Sequence, residues 1–272
     1  IVEQLQKRGE VVAMSGDGVN DAPSVKKADI GIAMGKGSDV CKQASDLILS
    51  DDNFSLIVRA VEEGRTIYAN IRKAVLYLLS CNLGEIMALF LSVLLMPRGT
   101  AVLCAIQILW VNMVTDALPA LALGVDPLDR FVMEEAPRHP KESLFAHGGG
   151  LFTVLNGMLI GTMTLVAFRY GMNRSLLCAQ TMAFMVLSIS QLFHAMNLTS
   201  FTHSIWEVGI AKNRWLLLTV CFGIALQICT VLIPALRMLL KTVLLEMNEW
   251  IVVMLASLLV IAVNEISKWA AR

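Results

Sequence analysis

Residues 75–96 read VLYLLSCNLGEIMALFLSVLLM, and Glu85 is the one charged residue among them. The hydrocarbon core of a bilayer is about 30 Å thick, and an α-helix needs roughly 20 mainly apolar residues to cross it. This run is therefore long enough and apolar enough to span a membrane. The charged stretch before it, residues 56–74, is typical of a helix that continues from an aqueous domain into the bilayer.

Five more runs of membrane length follow, at about 101–123, 151–169, 176–198, 215–236 and 248–267. The composition agrees, because 56% of the residues are hydrophobic and 16% are charged. Soluble domains are about 45–50% apolar and about 25% charged. The alternative is a soluble protein with a buried core. It is disfavoured, because such a protein would have to contain six apolar helices of membrane length. We therefore predict an all-α membrane bundle of six transmembrane helices over residues 75–272, in an integral, multi-pass protein surrounded by the lipid bilayer.

The basic residues that flank the predicted spans indicate their orientation. If the N-terminal segment is cytosolic, the inside flanks hold Arg65, Arg72, Lys73, Arg130, Arg138, Lys141, Lys212, Arg214, Lys268 and Arg272. The outside flanks then hold Arg98, Arg169, Arg174, Arg237 and Lys241. This is about a two-to-one excess of positive charge inside, which is the direction that the positive-inside rule requires.

The overall charge and the cysteines argue against two other classes of function. The formal net charge is zero, so nothing suggests a nucleic-acid partner. The six cysteines have no metal-ligand spacing, and most lie inside apolar runs. We interpret them as small hydrophobic residues, without a disulfide framework.

Residues 1–55 differ from the rest, because strand-like and helix-like stretches alternate there. Short apolar runs at 11–14, 30–34 and 46–49 predict buried strands, and the polar stretch 22–28 predicts a helix. Strands interleaved with helices indicate a parallel α/β sheet, with functional residues in loops at the carboxyl ends of its strands. The chain begins within a helix-like stretch, which we interpret as a cut inside a domain.

The first of these strands leads into Gly16-Asp17-Gly18-Val19-Asn20-Asp21-Ala22-Pro23. Two carboxylates and an amide on such a loop can hold a hard cation, and Mg²⁺ prefers one or two carboxylates together with phosphate oxygens. Gly16 and Gly18 would let the backbone turn sharply and let a phosphate approach closely. We therefore predict that Asp17 and Asp21 bind Mg²⁺; the alternative is an ordinary acidic turn.

The same eight residues resemble the hinge motif of the P-type ATPases, members of the haloacid-dehalogenase-like superfamily. The stretches KKADIGIAMG (26–35) and DDNF (51–54) continue the resemblance. It implies that Asp17 coordinates the catalytic Mg²⁺, and that Asn20 and Asp21 help to orient a phosphorylated aspartate and the metal. Ser15 stands where the family usually has threonine, which keeps a hydroxyl group.

The resemblance also implies a domain organisation. Residues 1–55 would be the C-terminal part of the phosphorylation domain, a partial haloacid-dehalogenase-like α/β domain. Residues 56–74 would be a cytosolic stalk helix. ATP would be bound mostly by an N-terminal part of the same pump that this sequence lacks, together with the phosphorylated aspartate and the first four membrane helices.

Two predicted spans carry polar residues at spacings that place them on one helix face: Asn82 and Glu85 in the first, and Asn112, Thr115 and Asp116 in the second. A charged carboxylate at mid-membrane costs roughly 2.5–3.5 kcal/mol or more unless it is paired, and no lysine or arginine lies mid-span nearby. Oxygen-bearing side chains suit a hard cation such as Ca²⁺. We predict that the five bind a transported cation; the alternative is hydrogen bonding that only holds helices together.

Pro119 follows Asp116 closely in the second span. Proline has no N–H and clashes with the preceding helical turn, so it can break the helix. We expect this break to free backbone carbonyls near the predicted ion site.

The stretches NLGE (82–85) and LWVNMVTDALPA (109–120) resemble the ion-binding helices of sarco/endoplasmic-reticulum-type calcium pumps and their bacterial relatives. The resemblance covers essentially the whole chain. One departure is Gln191, because two-site calcium pumps have a glutamate there, whereas plasma-membrane-type pumps, which carry one ion, have glutamine. Gln191 is therefore a possible ligand and predicts one Ca²⁺ per cycle. Gln191, His194 and Asn197 share one face of the predicted span 176–198. His194 is either a hydrogen-bonded core residue or part of proton countertransport.

These observations predict ATP-driven export of Ca²⁺ from the cytosol across a plasma or cell membrane, with a phosphoenzyme intermediate and H⁺ countertransport. The oxygen ligands leave open a pump for Mn²⁺ or Na⁺. A membrane-tethered phosphatase of the haloacid-dehalogenase type is a further alternative, and it would not need Glu85 or Asp116. The chain by itself is not expected to hydrolyse ATP.

Overall fold

The computed structural model describes residues 1–50, 53–96, 100–127, 132–134, 136–139, 142–201, 204–209 and 212–270. The chain divides into two compact units, one of Ile1–Thr66 with Asp129–Glu142 and one of Ile67–Leu128 with Ser143–Arg272. Several residues used in the sequence analysis lie outside the described ranges, namely Asp51, Asp52, Arg98, Arg130, Lys141 and Arg272.

The first unit contains a three-stranded parallel sheet with the strands in the order β1, β2, β3. The strands are β1 (Ala13–Gly16), β2 (Ile30–Met34) and β3 (Leu47–Leu49). They alternate with the helices α1 (Val2–Lys7), α2 (Ala22–Lys27) and α3 (Asp39–Ala44). This arrangement confirms the predicted parallel α/β sheet.

The core of this unit is small and lies between the sheet and its helices. Val25 of α2, Ala33 of β2 and Cys41 of α3 are fully buried. The first strand lies further along the chain than predicted, because Ser15 and Gly16 continue the ladder opposite β2. The strand therefore ends directly at the acidic loop.

Helix α4, Ser55–Leu95, is one continuous helix of 41 residues. At 1.5 Å per residue it is about 60 Å long. The division between the two units falls inside α4, after Thr66. A single helix thus carries both the charged stretch and the first apolar run of the sequence.

Six helical segments in the described ranges are long and apolar enough to cross a membrane, which confirms the predicted number. After α4, the second is built from α5 (Ala105–Trp110), a π-helix (Val111–Thr115) and α6 (Ala117–Gly124). The others are α7 (Gly149–Gly171), α8 (Leu176–Asn197), α10 (Arg214–Leu232) and α12 (Met247–Ala270). Two short helices, α9 (Ile205–Val208) and α11 (Pro234–Leu240), lie between them.

Helix α8 lies at the centre of the second unit, where it packs against α7, α10 and α12. Between Cys178 and Asn197 every residue except Met196 is buried. The buried residues include polar side chains that are fully hidden, namely Ser188, Ser190, Gln191, His194 and Asn197. A membrane helix of this kind is surrounded by protein and not by lipid.

The second span is interrupted at the π-helix, before Pro119. The Asp116 N–H donates to the Val111 carbonyl at 3.0 Å, a bond that skips one residue more than in an α-helix. Pro119 then lies in the first turn of α6, where a missing N–H is tolerated. The predicted break at Pro119 is therefore displaced to the residues before it, which are the polar residues of the predicted ion site.

Glycines bring α4 and α7 into close contact. A Cβ atom on Gly157 would lie 2.8 Å from Leu83 Cγ, and one on Gly161 would lie 2.9 Å from the Gly84 carbonyl oxygen. Such contacts between small residues allow membrane helices to approach closely. This crossing lies beside Glu85, and so it sets the position of that residue in the bundle.

Replacing Gly157 by leucine is expected to destabilise the bundle, because the new side chain would overlap Leu83. Overpacking of this kind costs about 1–3 kcal/mol or more. The measurement is the thermal unfolding midpoint in detergent, which should fall by several degrees. Gly64→Leu is the matched control, because Gly64 is also helical but a Cβ atom on it would meet no atom within 4 Å. Equal unfolding midpoints for the two variants would contradict the close contact between α4 and α7 at Gly157.

Candidate functional site

The acidic loop between β1 and α2 is folded around Asp21. One oxygen of its carboxylate, Oδ2, accepts the N–H of Gly18 at 3.0 Å and the N–H of Asp17 at 3.2 Å. A Cβ atom on Gly16 would lie 2.6 Å from Asp21 Cβ, so glycine is required for this packing. The Asp17 carbonyl also accepts the Ser38 N–H at 2.7 Å, which ties the loop to the start of α3.

These contacts give the two aspartates of the loop different roles. Asp21 holds the loop backbone, whereas Asp17 and Asn20 are exposed at its surface. Within the described ranges no group of three or more His, Cys, Asp or Glu side chains is arranged to hold a metal ion. Mg²⁺ usually needs only one or two protein carboxylates beside phosphate and water. The exposed Asp17, with the second oxygen of Asp21, fits such a site.

The backbone hydrogen bonds also predict a pH dependence for the loop. The Gly18 N–H, followed by the Asp17 N–H, lowers the pKa of Asp21 below its ordinary value of 3.8. A carboxyl group with a lowered pKa stabilises the fold above that ordinary value, and the contribution is lost as the pH falls through the lowered pKa. We expect the Gly18 amide NMR signal to titrate with a midpoint below 3.8. Asp21→Asn should abolish the transition, and a midpoint above the ordinary value would contradict the contact.

Glu85 is the point at which three helical segments of the second unit meet. It is on α4 and only 5% exposed. Asn112 of the π-helix donates its Nδ2–H to Glu85 Oε2 at 2.8 Å. Gln191 of α8 approaches from the other side, with Nε2 at 3.5 Å from Glu85 Oε1 and 3.4 Å from the Cys81 carbonyl. The structure thus brings together three residues that lie far apart in the sequence.

Asp116 is the second buried carboxylate, with 2% of its surface exposed. The Tyr77 hydroxyl donates to Asp116 Oδ1 at 3.4 Å. Among the described residues, no lysine, arginine or histidine forms an ion pair with either carboxylate. Both carboxylates are therefore buried in the bundle without a cationic partner among the described residues.

Two other predicted ligands are placed differently. Asn82 is exposed on α4 although its spacing of three residues puts it near Glu85, because it lies at the edge of the buried stripe that contains Cys81 and Glu85. The Thr115 hydroxyl is buried and donates to the Val111 carbonyl of its own helix at 2.9 Å. In this structure the gathered side chains are those of Glu85, Asn112, Asp116 and Gln191.

Tyr77 belongs to the site although the sequence analysis did not single it out. Tyr77, Cys81 and Glu85 are four residues apart on α4 and are all buried, so they form one stripe facing the interior. Extending the pattern of Glu85 backwards by two turns would have found Tyr77. Its hydroxyl forms the hydrogen bond to the Asp116 carboxylate.

Gln191 supplies an oxygen that fits a cation. Its Oε1 atom is buried and has no hydrogen-bond partner among the described residues, while its Nε2 contacts Glu85. A buried acceptor without a donor is costly unless something else satisfies it. An ion between Gln191 and the carboxylates would do so, because Ca²⁺ is bound by carboxylate and amide oxygens.

Comparisons with known proteins agree with both parts of the chain. Residues 100–270 match the family described as "Cation transporting ATPase, C-terminus", and residues 1–61 match the haloacid dehalogenase-like hydrolases. A relative from Bacillus cereus, Calcium-transporting ATPase 1, is 50% identical over 292 aligned positions, which cover 100% of this chain and 32% of the relative. Calcium-transporting ATPase of Bacillus subtilis is 45% identical over 258 positions, which cover 93% of this chain and 28% of the relative. The chain therefore spans about a third of the length of these relatives.

Proposed function

This chain belongs to the cation-transporting ATPase family, and we propose that it is the C-terminal part of an ATP-driven pump that exports Ca²⁺ from the cytosol. The observation that carries the proposal is the pair of buried carboxylates, Glu85 and Asp116, without a cationic partner among the described residues. Two negative charges in a low-dielectric interior are strongly unfavourable unless a cation neutralises them. A divalent ion balances both.

Ion binding would use the side chains gathered around Glu85. The two carboxylates supply charge, and Asn112 and Gln191 supply amide oxygens. For Asn112 this requires its side chain to turn, because its Nδ2–H now donates to Glu85. Asn82 and Thr115 remain proposed ligands that need a rotation or a neighbouring segment to reach the ion. Six to eight oxygens are typical for Ca²⁺, so backbone carbonyls and water would complete the shell.

The acidic loop would serve the ATP-hydrolysing part of the pump. We propose that Asp17 and Asp21 hold Mg²⁺, which neutralises phosphate charge when bound. Gly16 and Gly18 keep side chains away from the phosphate, and Asn20 orients the reacting groups. The phosphorylated aspartate and most of the ATP site would lie in the part of the pump that precedes this sequence.

Helix α4 would couple the two processes, because it contains residues of both compact units and carries Glu85. Phosphorylation and ion binding then affect one another through two global states of the pump, and the coupling must be reciprocal. Gln191 in place of a carboxylate supports one Ca²⁺ per cycle. In the return step, protons would neutralise Glu85 and Asp116, which gives H⁺ countertransport. A transport ratio that does not depend on the pH of the receiving side would contradict this step.

The test is the ATPase activity of the complete pump with Ca²⁺, Mn²⁺, Na⁺ or K⁺ as the only added transport ion, with Mg²⁺ and ATP constant. We expect activation by Ca²⁺ at concentrations below those of the other ions, with one Ca²⁺ transported per ATP. Activation by Mn²⁺ or Na⁺ in preference to Ca²⁺ would overturn the ion assignment. Phosphatase activity that is indifferent to all four ions would overturn transport itself.

A further inference from the structure

A second buried polar group lies beyond the end of α6, around Asp126. Asp126 is 5% exposed, and its Oδ2 atom lies 2.6 Å from Lys73 Nζ in an ion pair whose side chains are 3% and 11% exposed. Its Oδ1 atom accepts the Nδ2–H of Asn213 at 2.9 Å. Its backbone carbonyl accepts the Nδ2–H of Asn70 at 2.8 Å. We call Asn70, Lys73, Asp126 and Asn213 the Asp126 cluster.

The Asp126 cluster joins three helices. Asn70 and Lys73 are on α4, and Asp126 follows the last turn of α6. Asn213 also donates to the Ala122 carbonyl at 2.9 Å and accepts the Leu216 N–H at 2.9 Å, so it caps α10. The two carboxylate oxygens and the carbonyl oxygen of Asp126 therefore all have partners, two of them on α4 and one at the start of α10. Such networks are rigid when all their members are paired.

The two helices joined by the cluster are the ones that carry the buried carboxylates. Glu85 lies further along α4 from Lys73, and Asp116 lies at the start of the short α6, whose end leads to Asp126. Near the carboxylates, the contacts of Asp116 with Tyr77 and of Glu85 with Gln191 are long, at 3.4 and 3.5 Å. The hydrogen bond that Asn112 of the π-helix donates to Glu85 is shorter, at 2.8 Å.

The geometry therefore points to Asp126 as a positioning residue for the ion site. We propose that its charged pairing with Lys73 sets the register between α4 and α6, and thereby the separation of Glu85 and Asp116. Ca²⁺ ligands must lie within 2.3–2.6 Å of the ion, so small changes in register weaken binding. This inference rests on the proposed transport function, because it assigns a role in binding the transported ion.

The test measures the Ca²⁺ dependence of ATP hydrolysis by the complete pump. Asp126→Asn keeps the shape of the side chain but leaves Lys73 buried without its counter-charge, and Lys73→Met does the reverse. For each we expect the half-saturating Ca²⁺ concentration to rise about tenfold, with the maximal rate per folded molecule changed less than about threefold. The double variant Lys73→Met/Asp126→Asn removes both charges and should recover most of the Ca²⁺ affinity.

Glu265→Gln is the matched control. Glu265 also forms a largely buried ion pair at the end of a membrane helix, with Lys268 at 3.3 Å, but both residues are on α12. Glu265 further contacts Ser204 and Ile205 near α9. A purely structural role for Asp126 would lower the amount of active pump without moving the half-saturating concentration. An unchanged concentration in Asp126→Asn, or an equal shift in Glu265→Gln, would overturn the inference while Ca²⁺ activation of the wild type still supports the proposed function. If the wild type itself is not activated by Ca²⁺, the proposed function fails first.

Discussion

The complete pump carrying Asp116→Asn is expected to lose Ca²⁺-activated ATP hydrolysis by a factor of at least about 100. Asp116 is 2% exposed and shares the bundle interior with Glu85. The substitution keeps the shape of the side chain but removes one of the two negative charges that balance a divalent ion. Leaving a buried charge uncompensated costs about 3–5 kcal/mol, which corresponds to a factor of about 10²–10³ or more in affinity.

The loss should be specific to the ion site. Radioactive Ca²⁺ bound at equilibrium without ATP should fall in the same variant, which would place the defect in ion binding and not in ATP hydrolysis. Asn82→Ala is an informative comparison. Asn82 is exposed on α4, so its replacement is expected to reduce Ca²⁺-activated ATP hydrolysis less than Asp116→Asn does. Ca²⁺ activation of Asp116→Asn at wild-type concentrations would rule out the proposed site.

Asp17→Asn is expected to reduce turnover by a similar factor, but through Mg²⁺ binding and not through Ca²⁺ binding. Asp17 is exposed at the carboxyl end of β1, and its backbone is held by the Asp21 carboxylate and by Ser38. If Asp17 binds Mg²⁺ as proposed, removing its charge should weaken that binding without disturbing the loop, because the N–H of Asp17 remains in place. Mg²⁺-dependent turnover should fall at least about 100-fold, since phosphate charge is then poorly neutralised.

Ca²⁺ binding to Asp17→Asn should be retained, and radioactive Ca²⁺ bound at equilibrium without ATP measures it directly. Asp39→Asn is the matched control, because Asp39 is an exposed aspartate of the same unit in the first turn of α3. Turnover of the control should stay near that of the wild type. Normal turnover of Asp17→Asn, or loss of Ca²⁺ binding in it, would refute the separation of the two sites.

The sequence was most informative where one physical requirement acts on a whole segment. A helix needs about 20 mainly apolar residues to cross the hydrocarbon core, and so the six spans and their order were predictable. The parallel sheet was predictable from alternating strands and helices for a similar reason, because its buried strands need short apolar runs. Only the bounds differed, as in β1, where ladder pairing includes two small residues.

Contacts that depend on how helices pack were harder to predict from the sequence. The π-helix at Val111–Thr115 places Asn112 against Glu85, but its backbone geometry has no simple sequence pattern. Periodicity put Asn82 beside Glu85, yet packing buries one of them and exposes the other. The Asp126 cluster joins residues more than 80 positions apart, such as Asp126 and Asn213, so only the folded chain brings them together.

The burial of α8 has a consequence for biosynthesis. A protein chain is synthesised from its N-terminus onward. Helix α8 is therefore made before α10 and α12, two of the helices that later surround it. Until those helices arrive, Ser188, Gln191, His194 and Asn197 lack the protein that encloses them. Asparagine, glutamine and histidine side chains are poorly solvated by hydrocarbon, so a truncated chain that stops after α8 should be retained by quality control or degraded. Stable insertion of α8 is therefore expected to depend on α10 and α12, which enclose its polar side chains.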